Sequence, residues 1–356
     1  MDRLTIFFSN KIPLWINKCR QVLEKTGLFV ATFGIGTAFL VGYYIFLPVY
    51  DTVGGERYHR IMIPFGATAT QVGDVLKQEG LIRSTEWFRL YARLRGLDRH
   101  LCPGFFIFDT HQSLHNIVSD LGRQEKGHLV RITIPEGTSI HQIGDILEKN
   151  RLVDCQKFIQ FASHARPLFQ KRYPFLQSIA SESLEGYLFP DTYFFAKGED
   201  TSFIVDAMLY QFFKKIGGIW SKTSISQKKL SFHQALTMAS MLEEEAQRPA
   251  EMPIIASVFF NRLKIHMPLA SDPTVIYALG QSTKAVVTYN DLKIDSAYNT
   301  YRVTGLPPTP ISSPGETAFR AVLHAADTPY LFFVADREGG HLFSTTYRQH
   351  LDFQKK

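Results

Sequence analysis

The chain has 356 residues, of which 45% are hydrophobic, 13% aromatic and 20% charged. That length is ample for a hydrophobic core, and the aromatic content rules out a disordered chain. The three cysteines, Cys19, Cys102 and Cys155, are too few for a disulfide-dense scaffold and lack the spacing of a Cys/His zinc site. The net charge is +6 without a dominant basic run, which disfavours a nucleic-acid partner and suits an anionic membrane or polymer.

Residues 26–50 contain no charged side chain. As a helix, residues 28–50 would extend roughly 34 Å, which exceeds the roughly 30 Å of a bilayer's hydrocarbon core. The alternatives are a cleaved signal peptide and a buried core helix. The stretch is too long for the apolar part of a signal peptide, and no small-residue cleavage site follows it. We therefore predict a single N-terminal transmembrane helix over residues 26–50.

Flanking charge predicts the orientation of this helix. Asp2 and Glu24 are the acidic residues before it, against five basic residues: Arg3, Lys11, Lys18, Arg20 and Lys25. Because positive flanks stay in the cytoplasm, we expect residues 1–25 to form a cytoplasmic tail. The rest would then lie in the periplasm or its equivalent, on a single-pass protein of the inner (cytoplasmic) membrane. That oxidising compartment permits a Cys102–Cys155 disulfide, although the sequence does not supply its geometry.

The exported part begins with an internal repeat, in which residues 61–76 recur as residues 132–147. Each copy has the pattern of a short apolar strand, a turn containing proline and glycine, and an amphipathic helix. Two copies are too few for a solenoid, and they fit either a glycan-binding role or a spacer without a ligand. The expected helix caps are Thr68 or Thr70 in the first copy and Thr138 or Ser139 in the second.

The repeat and the composition after it divide the exported part into three regions. We predict a membrane-proximal α/β unit over residues 51–128 and a second α/β unit over residues 129–180. Residues 181–356 are rich in turns, with a helical pattern at residues 316–326 and an apolar strand at residues 330–334. The sequence therefore predicts an α+β protein with a catalytic or binding region at its C-terminal end.

Residues 231–247 predict a helix that ends in three adjacent carboxylates, Glu243, Glu244 and Glu245. Anions near a helix C-terminus oppose the helix dipole, so local helix stability does not account for them. At about 100° per residue, Glu244 points away from the apolar face, whereas Glu245 flanks it beside two methionines. A half-buried carboxyl in that position should have a raised pKa, as a general acid requires. The alternative is a solvated acidic end of a helix.

Three further segments mix amides, hydroxyls and aromatic rings: residues 261–263, 271–277 and 298–301. Aromatic faces with hydrogen-bonding tips suit sugars, and ordinary capping and turn chemistry is the alternative. The sequence contains no HExxH, GxSxG or P-loop motif, so these common catalytic sites are set aside.

Seven motifs, in their order and spacing, resemble those of the MltG/YceG-like endolytic murein transglycosylases. In chain order they are LEGY at 184–187, ASMLEEE at 239–245, ASVFFNRL at 256–263, SDPTVIY at 271–277, YNTY at 298–301, GLPP at 305–308 and YLFFVAD at 330–336. The resemblance covers essentially the whole chain, including the N-terminal apolar segment. It implies one membrane helix, a LysM-like module at residues 129–180, and a mixed α+β catalytic domain at residues 181–356 with a lysozyme-like active-site helix.

The resemblance also implies a reaction and the residues that serve it. The catalytic acid of the family is the last glutamate of an E-x-E motif, which is Glu245 here, and Glu244 stands where relatives often have lysine. The implied reaction cuts the β-1,4 bond between N-acetylmuramic acid and N-acetylglucosamine within a strand, leaves a 1,6-anhydro end and terminates elongation of nascent strands. Neither metal nor cofactor is expected. The residues expected to bind substrate are Asp272, Tyr298 and Asn299, with Glu185 and Tyr187 from the first motif.

The implied partners are peptidoglycan glycan strands, the membrane and, by family role, cell-wall synthases of the penicillin-binding class, with no nucleic acid. Two alternatives to a lytic enzyme stay open. One is a catalytically silent peptidoglycan-binding scaffold for those synthases. The other is a hydrolase of the same specificity, which would need a second carboxylate.

Overall fold

The computed structural model describes residues 34–37, 39–49, 57–64, 66–97, 101–123, 129–280 and 286–355. The predicted cytoplasmic tail lies outside these ranges, as does the first part of the predicted membrane segment. Residues 34–37 and 39–46 are helical. Within the described ranges, no helix combines the length and the apolar character needed to cross a membrane.

The chain forms two compact units, of which the first comprises Met1–Cys102 and Phe106–Arg123. Strands β1 and β2 pair in a two-stranded sheet. The side chains of Leu76, Phe88 and Ile117 are fully buried and mark its core. The elements are β1 (Tyr58–Ile63), α1 (Ala69–Gln78), α2 (Thr85–Leu94), β2 (Gly104–Asp109), whose first residues cluster with the second unit, and α3 (Leu114–Arg123).

The second unit comprises Pro103–Phe105 and Gln124–Lys356. Its main helices and strands are β3 (Leu129–Thr133), α4 (Ile140–Lys149), α5 (Cys155–His164), β4 (Thr192–Ala196), α6 (Thr201–Phe212), α7 (Phe232–Glu245), α8 (Met252–Lys264), α9 (Asp272–Ala278), α10 (Glu316–Leu323), β5 (Phe332–Ala335), β6 (His341–Ser344) and α11 (Tyr347–Gln354). Short helical segments lie at Arg166–Phe169, Pro174–Leu176, Phe213–Gly217, Gly218–Lys222, Ile225–Gln227, Pro249–Glu251 and Asp291–Lys293.

Two antiparallel strand pairs belong to this second unit. Strand β3 pairs with β4, with Leu129 opposite Ala196 and Thr133 opposite Thr192. Strand β5 pairs with β6 along the predicted apolar strand near the C-terminus. Helices and strands are thus mixed through the described part of the chain, and the predicted α+β class is confirmed.

The internal repeat folds as its pattern predicts. Thr68 caps α1 and Ser139 caps α4, and each forms a capping box with the glutamine three residues on. The turn glycines Gly66 and Gly137 have φ angles of +75° and +77°, which glycine adopts at little cost. A second helix and a return strand follow in each copy, giving a β-α-α-β order. The return strand of the second copy is β4, which pairs with β3.

Helix α7 is the centre of the second unit. Ser231 caps it, and its hydroxyl accepts from the backbone N–H of Gln234. All the side chains from Ala235 to Leu242 are buried, so burial is not confined to the single face that the sequence pattern indicates. The reason is that α8, α9 and α10 all pack against α7. A helix enclosed in this way holds its C-terminal residues in a fixed position.

The Cys102–Cys155 disulfide that the sequence left open is not formed. Both cysteines are buried, and the Cys155 thiol donates to Asp145 Oδ1 at 3.2 Å. Burial, with the bond to Asp145, raises the pKa of this thiol to about 11. Cys155 is therefore held as a neutral thiol in the packing of α4 against α5.

Candidate active site

The three carboxylates at the end of α7 point to three different environments. Helix α7 ends at Glu245 because Ala246 turns to extended backbone and Pro249 follows shortly after. The helix dipole disfavours negative charge at this end, so each carboxylate needs other partners or a proton. Each of the three carboxylates has different partners in the structure.

Glu243 has a structural role. Its Oε2 accepts from the backbone N–H of Gly315 at 2.9 Å, and Gly315 is the residue that caps α10. The Glu136 carboxyl also lies against Gly315, since a Cβ added at Gly315 would lie 1.8 Å from Glu136 Oε1. Burial raises the pKa of Glu243, and the Gly315 N–H opposes that rise. Glu243 thereby joins the end of α7 to the start of α10.

Glu244 lines a cavity of about 580 Å³. Part of the Glu244 side chain is exposed, in keeping with its predicted direction away from the apolar face. Its carboxyl nevertheless approaches Gly137 so closely that a Cβ added there would lie 2.6 Å from Oε1. Burial raises the pKa of Glu244 to about 7, against the opposing effect of a hydrogen bond with Ser312. The sequence pattern missed this desolvation because it comes from the turn of the second repeat, which lies far from Glu244 in the chain.

The cavity has walls from three parts of the second unit. The start of α4 contributes one wall, α9 another, and the loop before α10 a third. Both acidic and aromatic side chains line the cavity. The lining residues with polar side chains include His141, Gln142, Asp145, Glu244, Tyr277 and Ser312.

Glu245 has the environment of a proton donor. Its Oε1 accepts from the Ser271 hydroxyl at 2.5 Å, and the residue retains a small exposed fraction. Burial raises the pKa of Glu245 to about 7, and the Ser271 bond opposes that rise. Of the nearby charges, Asp272 raises this pKa and Arg262 lowers it. A carboxyl with such a pKa keeps its proton through much of the range below neutrality.

Arg262 is fixed too firmly to move toward a ligand. It is buried, its Nε donates to Leu331 O at 2.7 Å, and its Nη1 donates to Leu269 O at 2.6 Å. Asn261, its neighbour, donates to the carbonyl oxygens of Thr328 and Tyr330. This pair, which the sequence marked as one of three candidate segments, ties α8 to the segment that leads into β5.

Asp272 and Tyr298 lie near the carboxylates. Asp272 is exposed at the first residue of α9, directly after Ser271, and its Oδ1 accepts from the Tyr301 hydroxyl at 2.6 Å. Tyr298 is half-buried, and its ring centroid lies 4.9 Å from that of Tyr277 on the cavity wall. The structure therefore brings these two predicted substrate-binding residues to the edges of the Glu244 and Glu245 environments.

Glu185 is buried, with a relative exposure of 3%. Its carboxylate accepts from the backbone N–H of Ile140 at 3.0 Å and from the Tyr277 hydroxyl at 3.2 Å. Burial raises the pKa of Glu185 to about 8, against the Ile140 and Tyr277 hydrogen bonds. Since Ile140 begins α4 and Tyr277 lies on α9, Glu185 connects two walls of the cavity from behind.

Tyr187 and Asn299, two of the residues expected to bind substrate, have no exposed surface with which to contact a sugar. The Tyr187 hydroxyl instead hydrogen-bonds His233 Nδ1 at 2.8 Å within an aromatic cluster. Asn299 Nδ2 donates to the carbonyls of Leu292 and Ile294, both at 2.9 Å, and so fixes the loop before Tyr301. Their polar groups are used inside the protein, which a motif read from sequence does not reveal.

Sequence reasoning missed the residues that act through non-local contacts. The hydrogen bonds from Ser271 to Glu245, from Tyr277 to Glu185 and between Ser312 and Glu244 join residues far apart in the chain, and the sequence gives no signal for them. Thr138, in the turn of the second repeat, and Ser313 form a short antiparallel bridge that fixes this turn beside α7. Within the described residues, no cluster of three or more His, Cys, Asp or Glu side chains is arranged to hold a metal ion.

Comparison with known proteins identifies the family. The model of the YceG-like family matches residues 61–356. An endolytic murein transglycosylase of Bacillus subtilis is 35% identical over 332 residues, covering 90% of this chain and 90% of that protein. A protein of the same name from Streptococcus pneumoniae is 29% identical over 345 residues, covering 88% of this chain and 62% of that protein.

A solved structure agrees with these sequence comparisons. The crystal structure of a YceG-like protein from Listeria monocytogenes matches with a TM-score of 0.58 and 31% sequence identity, covering 84% of this chain and 99% of that one. This chain belongs to the YceG-like family.

Proposed function

We propose that this chain is an endolytic murein transglycosylase, which cleaves peptidoglycan glycan strands without consuming water. The observation that carries the proposal is the Glu245 carboxyl, held by Ser271 at the end of a buried helix with a pKa of about 7. Glu244, the preceding residue, lines a cavity with enough space for a sugar ring. The relatives from Bacillus subtilis and Streptococcus pneumoniae carry the name of this activity.

One carboxyl group suffices for this reaction. Glu245 donates its proton to the glycosidic oxygen, the bond from that oxygen to C1 of N-acetylmuramic acid breaks, and N-acetylglucosamine leaves as an alcohol. The C6 hydroxyl of the same muramic acid then bonds to C1, and its proton returns to the Glu245 carboxylate. The products are a 1,6-anhydro end and a regenerated acid. Because the nucleophile belongs to the substrate, its position replaces the second carboxylate of a hydrolase.

The neighbouring residues receive distinct roles in this proposal. Asp272, which follows Ser271, and Tyr298, whose ring lies beside that of Tyr277, would contact the strand, and the Asp272 charge favours the protonated form of Glu245. Glu244, on the cavity wall, contacts the strand without donating the proton. Tyr187 and Asn299 are buried and receive no role toward the substrate.

Replacement of Glu245 by glutamine should reduce cleavage by about a hundredfold to ten-thousandfold, because the amide has no acidic proton to give. The matched control is Glu243→Gln, the same isosteric change at the same helix end. Its amide oxygen still accepts from Gly315, so cleavage should stay near that of the unchanged protein. Mass spectrometry of digested glycan strands measures both effects, and anhydro-muropeptides are the expected product.

The same experiment separates the alternatives. Loss of cleavage in Glu244→Gln together with near-normal cleavage in Glu245→Gln would transfer the acid role to Glu244. Absence of any cleavage by the unchanged protein would favour a binding scaffold for synthases. Products with reducing muramic acid ends would identify a hydrolase.

The pH profile should report Glu245 directly. The resting acid must be protonated, so kcat/KM should fall as pH rises through about 7. Ser271→Ala removes a bond that favours the carboxylate, which should raise the pKa and move this limb to higher pH. Asp272→Asn removes a negative charge that favours the protonated form, which should move the limb to lower pH. If neither variant moved the limb, a group other than Glu245 would control it.

We propose further that each β-α-α-β repeat is a LysM-like module and that the second binds the glycan strand beside the carboxylates. The supporting observation is that His141, Gln142 and Asp145 of α4 line the same cavity as Glu244. In this proposal Glu185 is a positioning residue, since it holds the start of α4 against Tyr277.

Tyr277→Phe removes the hydroxyl that bonds Glu185, and Glu185→Gln weakens both of its bonds. Each should raise KM by roughly twofold to tenfold with a smaller change in kcat, because strand binding is lost more than proton donation. Tyr187→Phe is the control, as it deletes a buried hydroxyl away from the cavity and should leave KM unchanged. Steady-state kinetics on glycan strands, with melting curves for all three variants, gives the comparison. Equal KM values across the set would exclude the positioning role.

We also propose that residues 26–50 anchor the protein in the inner membrane, with residues 1–25 in the cytoplasm and the catalytic part outside. The uncharged stretch and its basic N-terminal flank support this. Cell-wall synthases of the penicillin-binding class are proposed partners from family role alone. The full chain should fractionate with membranes and resist alkaline carbonate, whereas Phe39→Arg/Leu40→Arg should release it. Release of the unchanged chain by carbonate would contradict the anchor.

A further inference from the structure

A second concave site lies away from the carboxylates, where α6 ends and α10 runs alongside it. The pocket has a volume of about 380 Å³. We call it the basic pocket and define it by six lining residues: Lys214, Lys215, Lys222, Arg320, His324 and Glu316. Three lysines and one arginine face a single acid, so the pocket carries a surplus of positive charge. Part of its rim, residues 221–229, is rich in serine and lysine, a feature that the lytic reaction does not use.

The backbone at the pocket departs from regular helix. Helix α6 passes into a π-helical turn over Phe213–Gly217, which is followed by the short helix Gly218–Lys222. Such turns are uncommon and occur frequently at functional sites, because a regular helix would give its side chains a different spacing. This turn carries Lys214 and Lys215. Buried Ile216 and Ile219 hold the turn and the short helix after it against the core.

The one acid of the pocket is already engaged by two of the cations. Glu316 Oε1 lies 3.1 Å from Lys215 Nζ, and Glu316 Oε2 lies 3.3 Å from Arg320 Nη2. Lys222 adds a further positive charge to the pocket, and its side chain is exposed. Like charges gathered around a concave surface focus a positive potential there. An anion entering the pocket would relieve that repulsion.

The donors fit a phosphate better than a single carboxylate. Ammonium and guanidinium groups come from α10, from the π-helical turn and from the short helix that follows it. A phosphate group offers three or more acceptor oxygens in different directions and more than one negative charge. We propose that the basic pocket binds a phosphate ester or pyrophosphate group, independently of the lytic reaction.

The phosphate could be carried by a lipid headgroup or by a water-soluble or polymeric phosphate. The Ile225 side chain beside the pocket is 88% exposed and would suit a lipid surface, whereas the pocket itself requires only the phosphate. The probes distinguish these sources. Inorganic pyrophosphate and glycerol 1-phosphate represent the soluble source, and dihexanoyl phosphatidylglycerol, compared with dihexanoyl phosphatidylcholine, represents the anionic lipid.

The test titrates each probe into the full chain in a neutral detergent and measures binding by calorimetry and by ³¹P resonance broadening. The variant is Lys215→Gln/Lys222→Gln, which removes two donors of the pocket. The matched control is Lys264→Gln/Lys293→Gln, which makes the same change in net charge on side chains that do not line it. Melting curves verify that both variants are folded.

We expect at least one phosphate probe to bind, with an affinity that falls by at least about tenfold in the pocket variant and stays within about twofold in the control. Binding of pyrophosphate or glycerol 1-phosphate would assign a soluble or polymeric phosphate. Binding of phosphatidylglycerol alone, without phosphatidylcholine, would assign a lipid headgroup. Equal weakening in both variants would mean diffuse attraction to a basic surface, and no binding by any probe would mean no site. Either of these last two results overturns the proposal, and neither bears on cleavage by Glu245.

Discussion

Burial of a carboxyl group at the C-terminal end of a helix is the constraint on which this structure depends. An ionised carboxylate placed there loses its hydration and also faces the negative end of the helix dipole. The group can respond by taking up a proton or by gaining hydrogen bonds to its charged form. Helix α7 has three such carboxyl groups in succession, and the elements around them give each one different contacts.

The division among the three follows from what each one contacts. Glu243 is satisfied by a backbone N–H at the start of α10, so its charge is used to connect two helices. Glu244 meets the turn of the second repeat, where only glycine leaves space for its carboxyl. Glu245 has a single short bond from Ser271 and remains desolvated, which is the condition that favours a stored proton. The three adjacent glutamates therefore have three different roles. Glu243 links two helices, Glu244 lines the cavity, and Glu245 holds a proton.

The packing of the second repeat against α7 makes this division possible. The bridge between Thr138 and Ser313 and the bond from Ile140 to Glu185 fix the turn and the first residues of α4. Without that packing, Glu244 would be a solvated residue on an exposed helix end, as its helical position alone suggests. The same contacts fix the cavity wall formed by the start of α4. Binding surface and acid environment thus arise from one interface within the second unit.

Local features were predictable from sequence, and non-local ones were not. The Ser231 cap, the Thr68 and Ser139 caps and the strand-turn-helix order of both repeats depend on neighbouring residues, so pattern and propensity were sufficient. A raised pKa for Glu245 followed from its place beside the apolar face. The hydrogen bond from the Ser271 hydroxyl to Glu245 could not be predicted in this way, because 26 positions separate the two residues in the chain. The burial of Tyr187 and Asn299 could not be predicted from the sequence either, since a motif gives residue types without the direction in which their side chains point.

The most direct measurement of the central claim is the protonation of Glu245 itself. Full-length protein labelled with ¹³C at the glutamate side-chain carboxyl can be titrated by NMR, and the Glu245 resonance assigned from its absence in Glu245→Gln. The structure predicts a titration midpoint of about 7 for this resonance. A midpoint near the ordinary value of about 4.5 would show a solvated carboxylate and contradict its role as the proton donor.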